Sequence, residues 1–231
     1  MSEKELVRGR VEAMRQGATY DAAVGSDASS VLRNTYMLLG LTLAFSALIA
    51  YLSMSMGWPH PGLIITLVGF YGLLFAIHKT QNSGLGLVFT FALTGFMGYT
   101  LGPILAAYIG AGAGGMVANA LGLTALVFFG LSGYALVTRK DFSFLAGFLM
   151  AGFFVLIGTM LLGFLFEIPG LNLALSAGFV LFSSAAILFQ TSAIIHGGER
   201  NYVLATVTLF VSIYNLFLSL LQLLTAFGGD E

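Results

Sequence analysis

The chain contains no cysteine, which removes disulfides, thiolate chemistry and cysteine-ligated metals together. Charge is scarce. Only 8% of the 231 residues are Asp, Glu, Lys or Arg, where a soluble domain carries about 25%, so a soluble globular class is excluded. The nine cations and ten anions leave a formal net charge of −1, and without a basic field nucleic acid is not an expected partner. The three histidines are scattered in loops without metal-ligand spacing. Neither HExxH nor GxSxG occurs. What is abundant is apolar surface: 58% hydrophobic residues and a mean hydropathy of +0.95. That content excludes disorder for most of the chain. The expected class is an all-α integral membrane protein with several spans in a lipid bilayer.

Residues 1–30 lack an apolar run. Lys4, Arg8, Arg10 and Arg15 alternate there with Glu3, Glu5, Glu12, Asp21 and Asp27, so no secretory signal is expected. Ser2 and Glu5 stand at capping-box spacing, which allows a short surface helix near Glu3–Arg15. Gly17 to Ser30, rich in Ala, Gly, Ser and Asp, reads as a flexible tether. A solvated tail is favoured over a handle for a partner.

From residue 31 to 231 the chain reads as one membrane domain. A spanning helix needs about 20 mainly apolar residues. Seven such segments stand out: Tyr36–Met56, Leu63–Ile77, Leu85–Ile109, Met116–Val137, Phe144–Phe166, Leu173–Ile195 and Tyr202–Phe227. Short loops rich in Gly, Pro or charge separate them, so successive helices form tight hairpins. Spans two and six both open on Pro-Gly-Leu, at Pro61 and Pro169, which reflects the preference of proline for helix starts. Lys4, Arg8, Arg10, Arg15 and Arg33 precede span one, Lys79 follows span two, Arg139 and Lys140 follow span four, and Arg200 follows span six. All cations thus fall on one side, which predicts a cytoplasmic N-terminus and a C-terminus on the far side.

No Asp, Glu, Lys, Arg or His lies in the middle of a span, which weighs against a pump or an ion-coupled transporter. Span seven carries Thr208, Ser212, Asn215, Ser219 and Gln222 at spacings of 4, 3, 4 and 3, a polar stripe along one helix face. Such a stripe is expected to face the bundle interior. It serves either as interhelical glue at about 0.6 kcal/mol per bond, the simpler reading, or as the lining of a weak conduit. Leu209, Phe210, Leu216, Phe217 and Leu220 lie opposite. Span six answers with Ser176, Ser183, Ser184, Gln190 and Thr191, of which Gln190 could pair with span seven. Gly98 and Gly102 form a GxxxG beside Pro103, a close-packing signal. Gly130-Leu131-Ser132-Gly133 with His196 at the same end resembles the serine–histidine dyad of rhomboid intramembrane proteases, a remote possibility.

Span seven also carries a family likeness. Ser212-Ile213-Tyr214-Asn215-Leu216-Phe217-Leu218-Ser219 resembles the Asn-Leu-Phe signature of the Bax inhibitor-1 family. The likeness extends to Val31–Tyr36, Gly95–Tyr99 with Leu101–Ile104, Thr138–Leu145, Ile187–Ser192 and Ile194–Glu199, and points to the bacterial YccA branch. It covers about residues 31 to 227. The resemblance implies a seven-helix bundle with the last helix central. It implies a non-enzymatic inner-membrane modulator, both inhibitor and potential substrate, of the ATP-dependent zinc protease FtsH, with HflK/HflC as further partners. Metal and ATP would belong to the protease, so no cofactor is expected on this chain. Other family members leak calcium under the control of an aspartate pair. Gln190 and Ser212 stand at those positions here, and neither titrates, so acid-gated calcium leak by that mechanism is not expected.

Overall fold

A computed structural model describes the backbone of residues 3–166 and 168–228 and the side chains of residues 27–163, 165–166 and 168–228. Among the described residues it is helical throughout, without strands: α1 (Glu3–Ser55), α2 (Leu63–Thr80), α3 (Gly84–Gly110), α4 (Gly114–Thr138), α5 (Leu145–Leu165), α6 (Leu171–Ile195) and α7 (Tyr202–Phe227). Each of the seven contains a stretch long and apolar enough to cross a membrane. The expected spans match within a few residues at most ends, and α7 matches at both.

The two departures are α1 and α2. The backbone of α1 is helical from Glu3 and runs into the first span without a break, where the sequence suggested a short helix and then a tether. No proline precedes Pro59, so nothing in the sequence obliges the helix to stop. The apolar, membrane-length part of α1 starts at Asp27. The side chains of the expected 1–30 tail lie outside the described residues up to residue 26. Helix α2 continues past the expected Ile77 to Thr80, and Lys79 occupies its last turn, where a cation is favourable.

Glycine turns end the helices. Gly57 (φ 65°), Gly112 (φ 84°) and Gly197 (φ 73°) follow α1, α3 and α6. In each case the next residue donates its N–H back five positions: Trp58 to Ser53, Ala113 to Tyr108, Gly198 to Ala193, at 2.8–3.0 Å. This is the Schellman closure, which needs a residue free to adopt positive φ. The shared Pro-Gly-Leu of α2 and α6 has a different origin from the one expected. Pro61 and Pro169 sit outside the helices, and the common feature is the positive-φ N-cap glycine, Gly62 (φ 86°) and Gly170 (φ 79°).

Helix α7 is central. It packs against α1, α3, α4 and α6, while α2 leans on α3 and α5 on α6. Of its most apolar stretch 61% is buried, against 6% for α2 and for α5. In lipid, apolar contact alone does not drive helices together, so close approach must do so. The α1–α3 pair carries that approach. A methyl group on Gly98 would strike the backbone carbonyl of Ser46, and one on Gly102 would lie 2.5 Å from Ser53 Oγ and 2.8 Å from the Ala50 carbonyl.

Pro103 adds a second lock to this pair. It has no N–H, so the carbonyl four residues earlier, at Tyr99, loses its helical partner. Ser53 Oγ of α1 donates to that carbonyl at 3.0 Å. The Tyr99 hydroxyl donates to the Pro59 carbonyl at 2.7 Å, and its ring meets Trp58 edge-on at 5.7 Å. Proline, glycine and serine together therefore fix α3 to the end of α1.

Candidate functional site

The polar stripe of α7 does not lie uniformly inward. Ser212 and Ser219 are buried, Asn215 and Gln222 are half-buried, and Thr208 is exposed. The deepest side chains are on the apolar side: Leu209, Phe210, Leu216 and Phe217 are at most 5% exposed. The reason is that α7 has neighbours on most sides. Its least covered face runs through Leu204, Thr208, Val211, Asn215, Leu218 and Gln222, so three of the five stripe residues lie on that face. A polar residue there need not find an interior partner. Ser212 Oγ donates to the Thr208 carbonyl of its own helix at 2.8 Å. Of the stripe residues, Gln222 is the one bonded across helices: Ser176 Oγ of α6 donates to its Oε1 at 2.6 Å, while Thr206 and Tyr214 of α7, outside the stripe, bond to the Thr35 carbonyl and to Thr100.

The aspartate-pair positions stand as follows. Gln190 is 6% exposed and Ser212 is 7% exposed. The expected pairing of Gln190 with α7 is not formed through its amide nitrogen. Among the described residues, Gln190 Nε2 has no hydrogen-bond partner, and the same holds for Thr35 Oγ1, Ser132 Oγ and Ser183 Oγ. These four buried atoms belong to α1, α4 and α6, the helices that flank α7. In an apolar interior each unpaired polar group costs on the order of 1–3 kcal/mol, so each of these four sites is one where a buried water would be favoured.

The serine–histidine dyad is overturned. Ser132 Oγ is unpartnered, and the His196 ring is engaged elsewhere, with Nδ1 2.9 Å from the Ser192 carbonyl and Nε2 3.1 Å from the Arg139 carbonyl. A general base directed at two carbonyls is not directed at a nucleophile.

Sequence reasoning missed how the cation-bearing loops are joined. Asn201, the N-cap of α7, accepts from the amides of Val203 and Leu204 at 2.9 and 3.2 Å. Its Nδ2 donates to Asn82 Oδ1 at 2.9 Å and to the Gln81 carbonyl at 3.3 Å, so one side chain both starts α7 and holds the α2–α3 loop. Ser192 and His196 likewise hold the α4–α5 loop. There Asp141 Oδ1 accepts from the Ser143 amide at 2.8 Å. That bond, then the Ser143 hydroxyl and then His196, keep the Asp141 carboxyl below its ordinary value. An Asn before a helix is a readable cap signal; its second contact, over a hundred residues away, is not.

At the opposite end a cavity of about 410 Å³ is lined by Ala107, Tyr108, Ala113, Met116, Thr225 and Gly228. It offers no charged side chain and hence no evident chemistry.

A family model described as inhibitor of apoptosis-promoting Bax1 matches residues 28–229. Among similar proteins, the modulator of FtsH protease YccA of Escherichia coli K12 is 59% identical over 194 residues, covering 84% of this chain and 89% of that protein. An uncharacterized protein of Pseudomonas aeruginosa is 64% identical over 206 residues, covering 89% of this chain and 93% of that one. A more distant relative, uncharacterized, from Campylobacter jejuni is 32% identical over 221 residues, covering 88% and 91%.

Proposed function

The chain belongs to the Bax inhibitor-1 family, and on that premise we propose that it is a non-enzymatic modulator of a membrane-anchored protease of the FtsH type. The observation that carries this is the 59% identity, across 84% of the chain, to a protein named for that role. The protein acts from the inner membrane with its N-terminus in the cytoplasm and its C-terminus outside, the orientation that the one-sided cations favour. Residues 1–30 form the cytoplasmic handle by which the protease engages and removes the protein, and the bundle provides the binding surface. HflK/HflC belong to this reading as further partners. The test is a mild-detergent pulldown of the full-length protein from native membranes, with mass spectrometry of what copurifies. Recovery of the protease supports the proposal, HflK/HflC in the same fraction extends it, and repeated absence of the protease overturns it.

A second reading has its own support. The unpartnered buried Thr35, Ser132, Ser183 and Gln190 atoms lie on helices that flank α7, and a small-solute or calcium leak beside α7 would use such polar positions. With Gln190 and Ser212 at the aspartate-pair positions, such a leak carries no acid gate of that kind. Calcium flux through reconstituted protein is expected not to change between about pH 8 and about pH 6. A large acid-dependent flux lost on Gln190→Ala would overturn that expectation.

A further inference from the structure

The last turn of α6 grips the α4–α5 loop with two side chains one turn apart. Ser192 Oγ accepts the Phe142 amide at 3.0 Å and lies 3.3 Å from the Lys140 carbonyl. His196 has a carbonyl at each ring nitrogen: Ser192 at Nδ1, 2.9 Å, and Arg139 at Nε2, 3.1 Å. Both are acceptors. A neutral imidazole has one N–H and leaves a lone pair facing the other carbonyl. The arrangement with the proton on Nε2 can take a bond from Ser192 Oγ at 3.3 Å. It then sets Nδ1 against the Ser192 carbonyl and draws the hydroxyl away from Lys140. The imidazolium satisfies both carbonyls and leaves the Ser192 hydroxyl free for Lys140.

Two further features belong to the same contact. The Arg139 carbonyl is presented by a left-handed cap with φ 49°, the one positive φ outside glycine among the described residues. A non-glycine residue held there is strained, so a contact must hold it in place. His196 is the C-cap of α6, where the free carbonyls of the last turn favour a cation.

We propose that His196 is a proton-operated latch: protonated, it clamps the α4–α5 loop to the end of α6, and neutral, it loosens the hold on Arg139. The histidine is exposed, so it exchanges protons with the surrounding water. The loop brings Arg139, Lys140 and Asp141 near it, and Asp141 attracts the charged ring. Its own segment carries Glu199, held by the Asn201 amide at 2.8 Å, and Arg200, which donates to the Gly197 carbonyl at 3.3 Å. Among the described residues, the ionisable groups toward this end of the packed helices are Asp27, Arg33 and Tyr36 of α1, Tyr134 of α4 and Tyr202 of α7, while α5 has none.

The test is amide hydrogen exchange at Phe142 in full-length protein reconstituted in lipid, each rate normalised to the intrinsic chemical rate at that pH. Protection is expected to rise about threefold from about pH 7.5 to about pH 5.5. In His196→Gln the profile should be flat. Ser192→Ala should lower protection at every pH while keeping the slope, which separates loss of the Phe142 bond from loss of the switch. A flat profile in the unmodified protein, or a slope that survives His196→Gln, overturns the proposal.

Discussion

Removing the Ser53 hydroxyl tests whether Pro103 has made that side chain necessary. Ser53 is fully buried and donates to the Tyr99 carbonyl that the Pro103 ring leaves without a helical partner. Ser53→Ala strands that carbonyl in an apolar interface. Stranding a buried acceptor costs about 1–3 kcal/mol, and interhelical bonds in membranes measure about 0.6 to about 1.7 kcal/mol. The expected loss is thus about 1–2 kcal/mol. Pro103→Ala restores an N–H at position 103 for the same carbonyl, so in that background Ser53→Ala should cost under about 0.5 kcal/mol. The assay is reversible unfolding in mixed micelles, followed through Trp58, the one tryptophan in the chain, whose ring lies 5.7 Å from that of Tyr99. Additive effects of the two substitutions, within about 0.5 kcal/mol, would show that proline and serine are not coupled.

Gly98→Ala drives a methyl group into the Ser46 carbonyl; it should cost about 1–3 kcal/mol and lower the yield of folded protein in size-exclusion profiles. Asp141 has its carboxyl held below the ordinary 3.8, with the Ser143 amide the largest cause. A depressed pKa means that its contribution to the loop is complete above 3.8 and is lost as pH falls below it. The Ser143 amide should therefore lose protection on acidification below that point, whereas Asp141→Asn, which keeps an acceptor, should show no such step. Alkaline phosphatase fused after Glu231 should be active, since that enzyme folds only outside the cytoplasm; a stable but inactive fusion would contradict the seven-span topology. Deleting residues 2–25 while keeping Arg33 should lengthen the half-life of the protein in cells without ending its copurification with the protease. Equal decay of the two forms would contradict the role assigned to the tail.

The helices were legible because hydropathy in a bilayer is a length requirement, and seven runs met it. Their loops were legible because Gly, Pro and charge cluster between them. The centrality of α7 was also anticipated, on its polar stripe and on the family likeness, yet the stripe is not what occupies the centre. Leu209, Phe210 and Leu216 fill it. A 4-3-4-3 spacing marks a face but does not say how many helices surround it, and four neighbours bury the apolar sides as well. The bonds of Ser53 to Tyr99, Asn201 to Asn82 and His196 to Arg139 were not legible, since each joins residues 46 or more apart. One of them had a signal: a proline within a helix announces an orphan carbonyl four residues back. The serine–histidine likeness failed because sharing an end of the bundle is a much weaker condition than hydrogen-bond reach.

The central claim is that the bundle restrains a membrane protease without performing chemistry itself. It is tested most directly by co-reconstituting the purified protein with the FtsH-type protease of the same cell in liposomes, with ATP and zinc supplied. The rate of degradation of a separate membrane-embedded substrate is then followed as the ratio of the two proteins is raised. The account predicts that degradation slows progressively with that ratio, and that the protein lacking residues 2–25 inhibits at least as strongly and is itself degraded more slowly. A substrate rate that stays constant across all ratios, with the two proteins verified in the same vesicles, would contradict it.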